Sequence, residues 1–172
     1  DADFVAARVE LGRVLLEGGD AEAAIAECRA ALEVLPTYAE AAELLATACR
    51  GAGRPREAVE VLVDLLTGDP YHLDGLVLLG QALRDDGRRA DARQALGRAL
   101  RFDPDRADAL FHLGVVAADD RHFREAIEYW KRAVDADPEG PFAQPARDNI
   151  GTALDLAHVF HTSSAARAAR SG

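Results

Sequence analysis

Four prolines, Pro36, Pro70, Pro104 and Pro138, stand 34 residues apart. An internal period of that length constrains the fold strongly, because each period must form one supersecondary unit and 34 residues suit two helices with their turns. Proline cannot continue a helix, and it pushes the residue before it out of helical geometry. Each of the four therefore separates one helix pair from the next.

Other positions keep step with the prolines. Leu11, Leu45, Leu79 and Leu113 are each followed by a small residue: Gly12, Ala46, Gly80 and Gly114. Alanine recurs at Ala24, Ala58, Ala92 and Ala126, and an aliphatic residue at Leu32, Leu66, Leu100 and Val134. A leucine buried from one helix face contributes about 1.5–3 kcal/mol. The small residue beside it lets a second helix approach, and the alanine row is expected to complete that crossing. Breaker clusters at 17–20, 51–55, 85–88 and 119–122 read as the turns inside each pair.

A fifth element follows. Ile150-Gly151 repeats the leucine–small pattern after a loop with three extra residues, and Pro145 suits the first turn of a helix. Ile150, Ala153, Leu154, Ala157 and Phe160 or His161 give an apolar stripe at helical spacing. The spacing predicts a capping helix over about 145–161, closing the open end of the stack, with a tail over 162–172. The alternative is the first helix of a further repeat.

The motifs Leu11-Gly12…Ala24…Ala31…Pro36, Leu79-Gly80…Ala92…Ala99…Pro104 and Leu113-Gly114…Ala126…Ala133…Pro138 resemble the tetratricopeptide repeat family. Leu45-Ala46…Ala58…Pro70 is a weaker copy. The resemblance implies an all-α, right-handed α-solenoid of four tandem helix-turn-helix repeats, about 5–38, 39–72, 73–106 and 107–140. A single domain over 1–172 is expected. The family's frequent tryptophan near the start of the first helix is replaced by Arg8, Ala42, Leu76 and Leu110. Its tyrosine is replaced by Leu15, Cys49, Leu83 and Ala117. The carboxylate clamp of some members is also missing apart from one arginine, since the matching positions hold Val9, Arg13, Leu44, Asp74 and Leu78.

Charge narrows the range of partners. The formal net charge is −10 and the isoelectric point about 4.9. Phosphate backbones attract continuous basic faces, so a nucleic-acid partner is not expected. No stretch approaches the ~20 apolar residues of a membrane span, and no signal peptide is apparent. A cytoplasmic location is expected. A sequence without methionine is read as a piece of a longer polypeptide. The single Lys131, against nineteen arginines, suggests a high-GC bacterial source.

Catalytic chemistry is not expected, nor are cofactors or metals. His158 and His161 share a helix face near Asp155, but further ligands are missing. His112 and His122 have no nucleophile to activate. The glycines form no phosphate-cradling loop. Asp85-Asp86 and Asp119-Asp120 read as solvated turn residues. Cys28 and Cys49 take positions filled elsewhere by leucine or tryptophan, and are expected as reduced core thiols.

The expected function is a scaffold or adaptor that holds a peptide or helix of a partner in a concave groove lined by first helices. Helical spacing places Arg13, Glu43, Thr47, Arg50, Val77, Gln81, Arg84, Phe111 and Val115 on that face. Val77, Phe111 and Val115 are expected to form an apolar patch, Arg50 and Arg84 two rungs, and Glu40, Asp74 and Asp108 an acidic rim. One alternative is a structural module forming homo-oligomers through its end helices, since the first helix is apolar nearly all round. Another is a regulatory domain of a larger enzyme.

Overall fold

The computed structural model describes the backbone of residues 2–168 and the side chains of residues 4–157. Nine helices and no strand occur among the described residues: α1 Ala2–Glu17, α2 Ala21–Val34, α3 Ala39–Gly51, α4 Pro55–Gly68, α5 Leu73–Asp85, α6 Arg89–Phe102, α7 Ala107–Asp119, α8 Phe123–Ala136 and α9 Ala143–Ala168. The fold class is the all-α solenoid of paired helices. Two compact units are distinguished, Asp1–Arg98 and Ala99–Gly172.

The turn inside each pair is built alike. The chain turns through a left-handed residue at Gly19, Gly53, Gly87 and Arg121, with φ of 85°, 72°, 80° and 62°. The next N–H then bonds back to a carbonyl in the last turn of the helix, as Arg54 N to Cys49 O at 2.8 Å and His122 N to Ala117 O at 2.8 Å. Glycine takes positive φ without a Cβ penalty. Arg121 adopts the same geometry with a side chain.

In the first unit each helix packs on the next from α1 to α5, and the first helices α1, α3 and α5 also lie side by side. The alanine row is fully buried, with Ala24, Ala58, Ala92 and Ala126 all at 0 % exposure. Leu45, Leu79 and Leu113 are buried as expected, but Leu11 is 47 % exposed. Leu45 lies on α3, which packs on the second helix α2, whereas α1 is the first helix described and meets no such neighbour. Phe4 and Val14 are also exposed on α1, whereas Val5 and Val9 are buried.

The helix crossing is close at Gly12, Gly80 and Gly114. At these three glycines of the row, the nearest side chain across the crossing is a larger residue further along the second helix, and at Gly12 the Ala24 carbonyl also lies 3.5 Å from the Cβ position. A Cβ on Gly80 would lie 2.5 Å from Leu96 Cγ, and one on Gly12 would lie 3.2 Å from Cys28 Sγ. At Gly114 the neighbour is the Trp130 indole, whose Nε1–H donates to Phe111 O at 3.1 Å.

The second unit closes around that indole. α8 packs on both α7 and α9, and Trp130 is buried with Ala117, Ala126, Ile127, Ala146 and Ala153. Among the described residues the buried stripe of α9 is Ala143, Ala146 and Ala153, with Ile150 partly covered. Leu154, expected on that stripe, is 55 % exposed. It lies about 100° around the helix from Ala153. α9 runs on to Ala168, so the segment expected as a tail from 162 begins helical. The side chains of His158, Phe160 and His161 lie outside the described residues.

Cys28 and Cys49 are both free and fully buried. Burial, with the neighbouring Cys49 and Glu27, pushes the Cys28 thiol up to about 11, and burial also raises Cys49. Both are held as thiols at neutral pH. An aromatic disulfide reagent at pH 8 is therefore expected to find no fast-reacting thiol in the folded protein, and two after unfolding in guanidinium. The unfolded chain ionises first, near ~8.5, so stability contributed by the protonated thiols is present below that pH. It is lost as pH rises towards 11. Fast labelling of the folded protein would overturn the assignment.

Candidate partner-binding faces

The first-helix wall of the N-terminal unit brings Arg13, Glu43 and Thr47 together. They line a cleft of about 350 Å³ with Leu16, Leu44 and Leu78 on the apolar side. Polar links cross from helix to helix along this wall. Arg13 pairs with Glu40 at 2.5 Å, between α1 and α3. Arg50 donates to Gln81 Oε1 at 2.6 Å and to Asp85 at 2.7 Å, between α3 and α5. Thr47 returns its hydroxyl to Glu43 O at 2.9 Å.

Several expected positions serve differently. Arg50 and Arg84 do not stand as two separate rungs, because both turn to Asp85, Arg84 at 3.7 Å. Val77 is 3 % exposed and so belongs to the core, not to a surface patch. Val9, its counterpart in the first repeat, is 1 % exposed. Apolar residues two before the leucine are thus covered in this unit. Of the expected acidic rim, Glu40 is engaged by Arg13 and Asp108 by Arg106 at 2.8 Å.

In the C-terminal unit Phe111 and Val115 are partly buried against the α7–α8–α9 core. The Phe111 ring meets Phe142 at 5.2 Å and His112 at 5.3 Å. Phe142 comes from the loop before α9, a segment with no counterpart in the repeat. Val115 lines a smaller cleft of about 190 Å³ with Phe123, Ala153 and Leu156.

Glu43, His72 and Asp74 place one ligand-type atom each within 4.8 Å of one another. The imidazole is already oriented for another purpose. Its Nδ1 accepts Gly75 N–H at 3.2 Å, capping α5, so its proton sits on Nε2 and is directed to Glu43 Oε1 at 3.1 Å. A metal on Nε2 would need the proton on Nδ1, facing the Gly75 N–H. His72 is therefore a helix cap that also ties α5 to α3.

Sequence reasoning missed a second concavity. A groove of about 500 Å³ opens between the end of α2, the start of α3 and the end of α4, over Leu32, Ala42 and Leu65. Its signs in the sequence are the small residues Ala39, Ala42 and Gly68.

The tetratricopeptide repeat profile matches residues 1–39, 9–72 and 77–141. The chain belongs to the tetratricopeptide repeat family. Solved structures share the fold at low identity. TTC0263, a thermophilic TPR protein of Thermus thermophilus, is 23% identical with a TM-score of 0.76, over 88% of this chain and 82% of its own. PilF of Pseudomonas aeruginosa is 23% identical with a TM-score of 0.72, over 97% and 89%. YrrB, described as a TPR protein with an unusual peptide-binding site, is 21% identical with a TM-score of 0.67, over 86% and 76%. No curated protein matches the chain in sequence. Among the described residues no helix is long and apolar enough to cross a membrane.

Proposed function

We propose that this tetratricopeptide repeat chain is a protein-interaction scaffold whose first-helix wall in the N-terminal unit holds a peptide segment of a partner. The observation that carries this reading is the cleft among Arg13, Glu43, Thr47 and Leu78, in whose wall Arg13 is tied to Glu40 and Thr47 to the Glu43 carbonyl. Side chains already fixed in place lose less entropy on binding. The peptide-binding description of YrrB, a structural neighbour, is in keeping with such a role.

The cleft has apolar contacts in Leu16, Leu44 and Leu78, and carboxylates in Glu17, Glu40 and Glu43 against the one cation Arg13. Its complement is a segment with one apolar anchor and basic flanks; anchors in pockets supply most of such binding energy, and polar contacts set register.

Random peptides selected on the full chain test this. Selected peptides are expected to carry that composition and to shift amide resonances of α1, α3 and α5. Thr47→Trp, which fills the cleft from a half-exposed position, is expected to abolish their binding with the helical signal unchanged. Binding that survives Thr47→Trp would rule the cleft out.

A further inference from the structure

The groove between α2, α3 and α4 lies away from the first-helix cleft, and the repeat itself shows what it lacks. Three of the four repeat-ending prolines have their carbonyl bound by an arginine. Arg98 donates to Pro70 O at 3.2 Å, Arg132 to Pro104 O at 3.1 Å and Arg147 to Pro138 O at 2.9 Å. Arg98 and Arg132 are 34 residues apart, as are their prolines. One period earlier the same two positions hold Asp64 and Pro36, and both line the groove. A carboxylate stands where the guanidinium stands in the later repeats. The groove thus presents two acceptors, the Asp64 carboxylate and the Pro36 carbonyl, and the chain's own donor is missing from that position.

The apolar part of the groove has the same origin. Ala39, Ala42 and Gly68 line it, and the equivalent positions one period later are Leu73, Leu76 and Phe102. Three small residues replace two leucines and a phenylalanine, which leaves room of aromatic size. His72 contributes the flank of its ring only, since both nitrogens are engaged by Gly75 and Glu43. Asp69 adds a second carboxylate at the rim, and Tyr38 an aromatic face.

We infer that this groove is a second docking site, which takes an arginine side chain next to an aromatic residue of a partner polypeptide. The guanidinium restores in trans the contact that Arg98 and Arg132 make in cis, to Pro36 O, and adds a charge-assisted bond to Asp64. The neighbouring ring fills the space over Ala42 and Gly68. This inference does not rest on the first-helix cleft.

The probe is the acetylated, amidated dipeptide Arg-Trp, titrated into the full chain and followed by amide chemical shifts. Saturable shifts are expected within residues 36–42 and 61–69, and the corresponding Glu-Trp dipeptide should produce none. Asp64→Arg supplies the missing arginine from within, and is expected to abolish the response with the fold intact. Asp64→Asn should weaken it about tenfold, the loss of one hydrogen bond to a charged group. Ala42→Leu, a residue the next repeat carries, should abolish it by filling the floor. Thr47→Trp should leave it unchanged, which separates this site from the other face. Absence of shifts in those segments would overturn the inference. So would an equal response to Glu-Trp, or a response that survives both Asp64→Arg and Ala42→Leu.

Discussion

Gly114→Ala is expected to lower stability by about 3 kcal/mol, the upper end of the usual overpacking range. In a chain of this size that is a fall in melting temperature of roughly 10 °C. The added methyl would enter the Trp130 indole at Nε1, Cδ1 and Cε2. The ring has little room to yield, because Ala117, Ala126, Ala146 and Ala153 surround it in the core. Moving it also breaks the Nε1–H bond to Phe111 O, which would leave a buried donor without a partner. The same change at Gly12 should cost far less, since its new methyl would meet Cys28 Sγ at 3.2 Å and Leu44 Cδ2 at 3.3 Å, distances that small adjustments relieve. Second-repeat residues at the two positions, Ala46 and Leu62, suggest a rescue. Gly114→Ala combined with Trp130→Leu should be more stable than the two separate losses add up to. Thermal melts of the four proteins decide it, and a Gly114→Ala melting temperature equal to that of the parent would mean that the indole is not wedged there.

The part of this fold that was legible in the sequence is the part that repeats. Four copies of one unit fix which residues turn the chain and which meet at a crossing, and the left-handed turn residues 19, 53, 87 and 121 fall on the same period as the prolines. What was not legible depends on which neighbour stands opposite a given position. Leu11 obeys the pattern of Leu45, yet it is exposed on α1, the first helix described, where Leu45 is buried on α3. Phe111 occupies a surface row, yet Phe142 in the irregular loop packs on its ring.

The candidate sites follow the same division. The first-helix rows held Arg13, Glu43 and Thr47, three residues that line one cleft. Helical spacing could not show that Asp85 would draw both Arg50 and Arg84. The outer groove needed Ala39, Ala42 and Gly68 from two separate helices to converge. Its most telling feature, an aspartate at the position of Arg98 and Arg132, acquires meaning only once those arginines are seen to hold proline carbonyls.

Ala92→Trp is the larger perturbation, expected to cost more than about 3 kcal/mol, beyond ordinary overpacking. Ala92 is at 0 % exposure on α6, in register with Ala24, Ala58 and Ala126, each also at 0 %. An indole brings about 150–250 Å² of surface to a position that admits a methyl. Leu96, one turn further along α6, is already so close to α5 that Gly80 has no room for a Cβ, so α6 cannot move inwards to compensate. It must move out, and the buried contacts of that crossing go with it. In a repeat protein such damage is felt first by the unit that carries it and by its immediate neighbours. Hydrogen exchange should therefore show the greatest loss of protection in α5 and α6, and α1 and α2 should be affected least. Gln94→Trp, two residues away at an exposed position, is the control and should lie within about 0.5 kcal/mol of the parent. Equal melting temperatures for Ala92→Trp and Gln94→Trp would show that the alanine row does not mark the helix crossings.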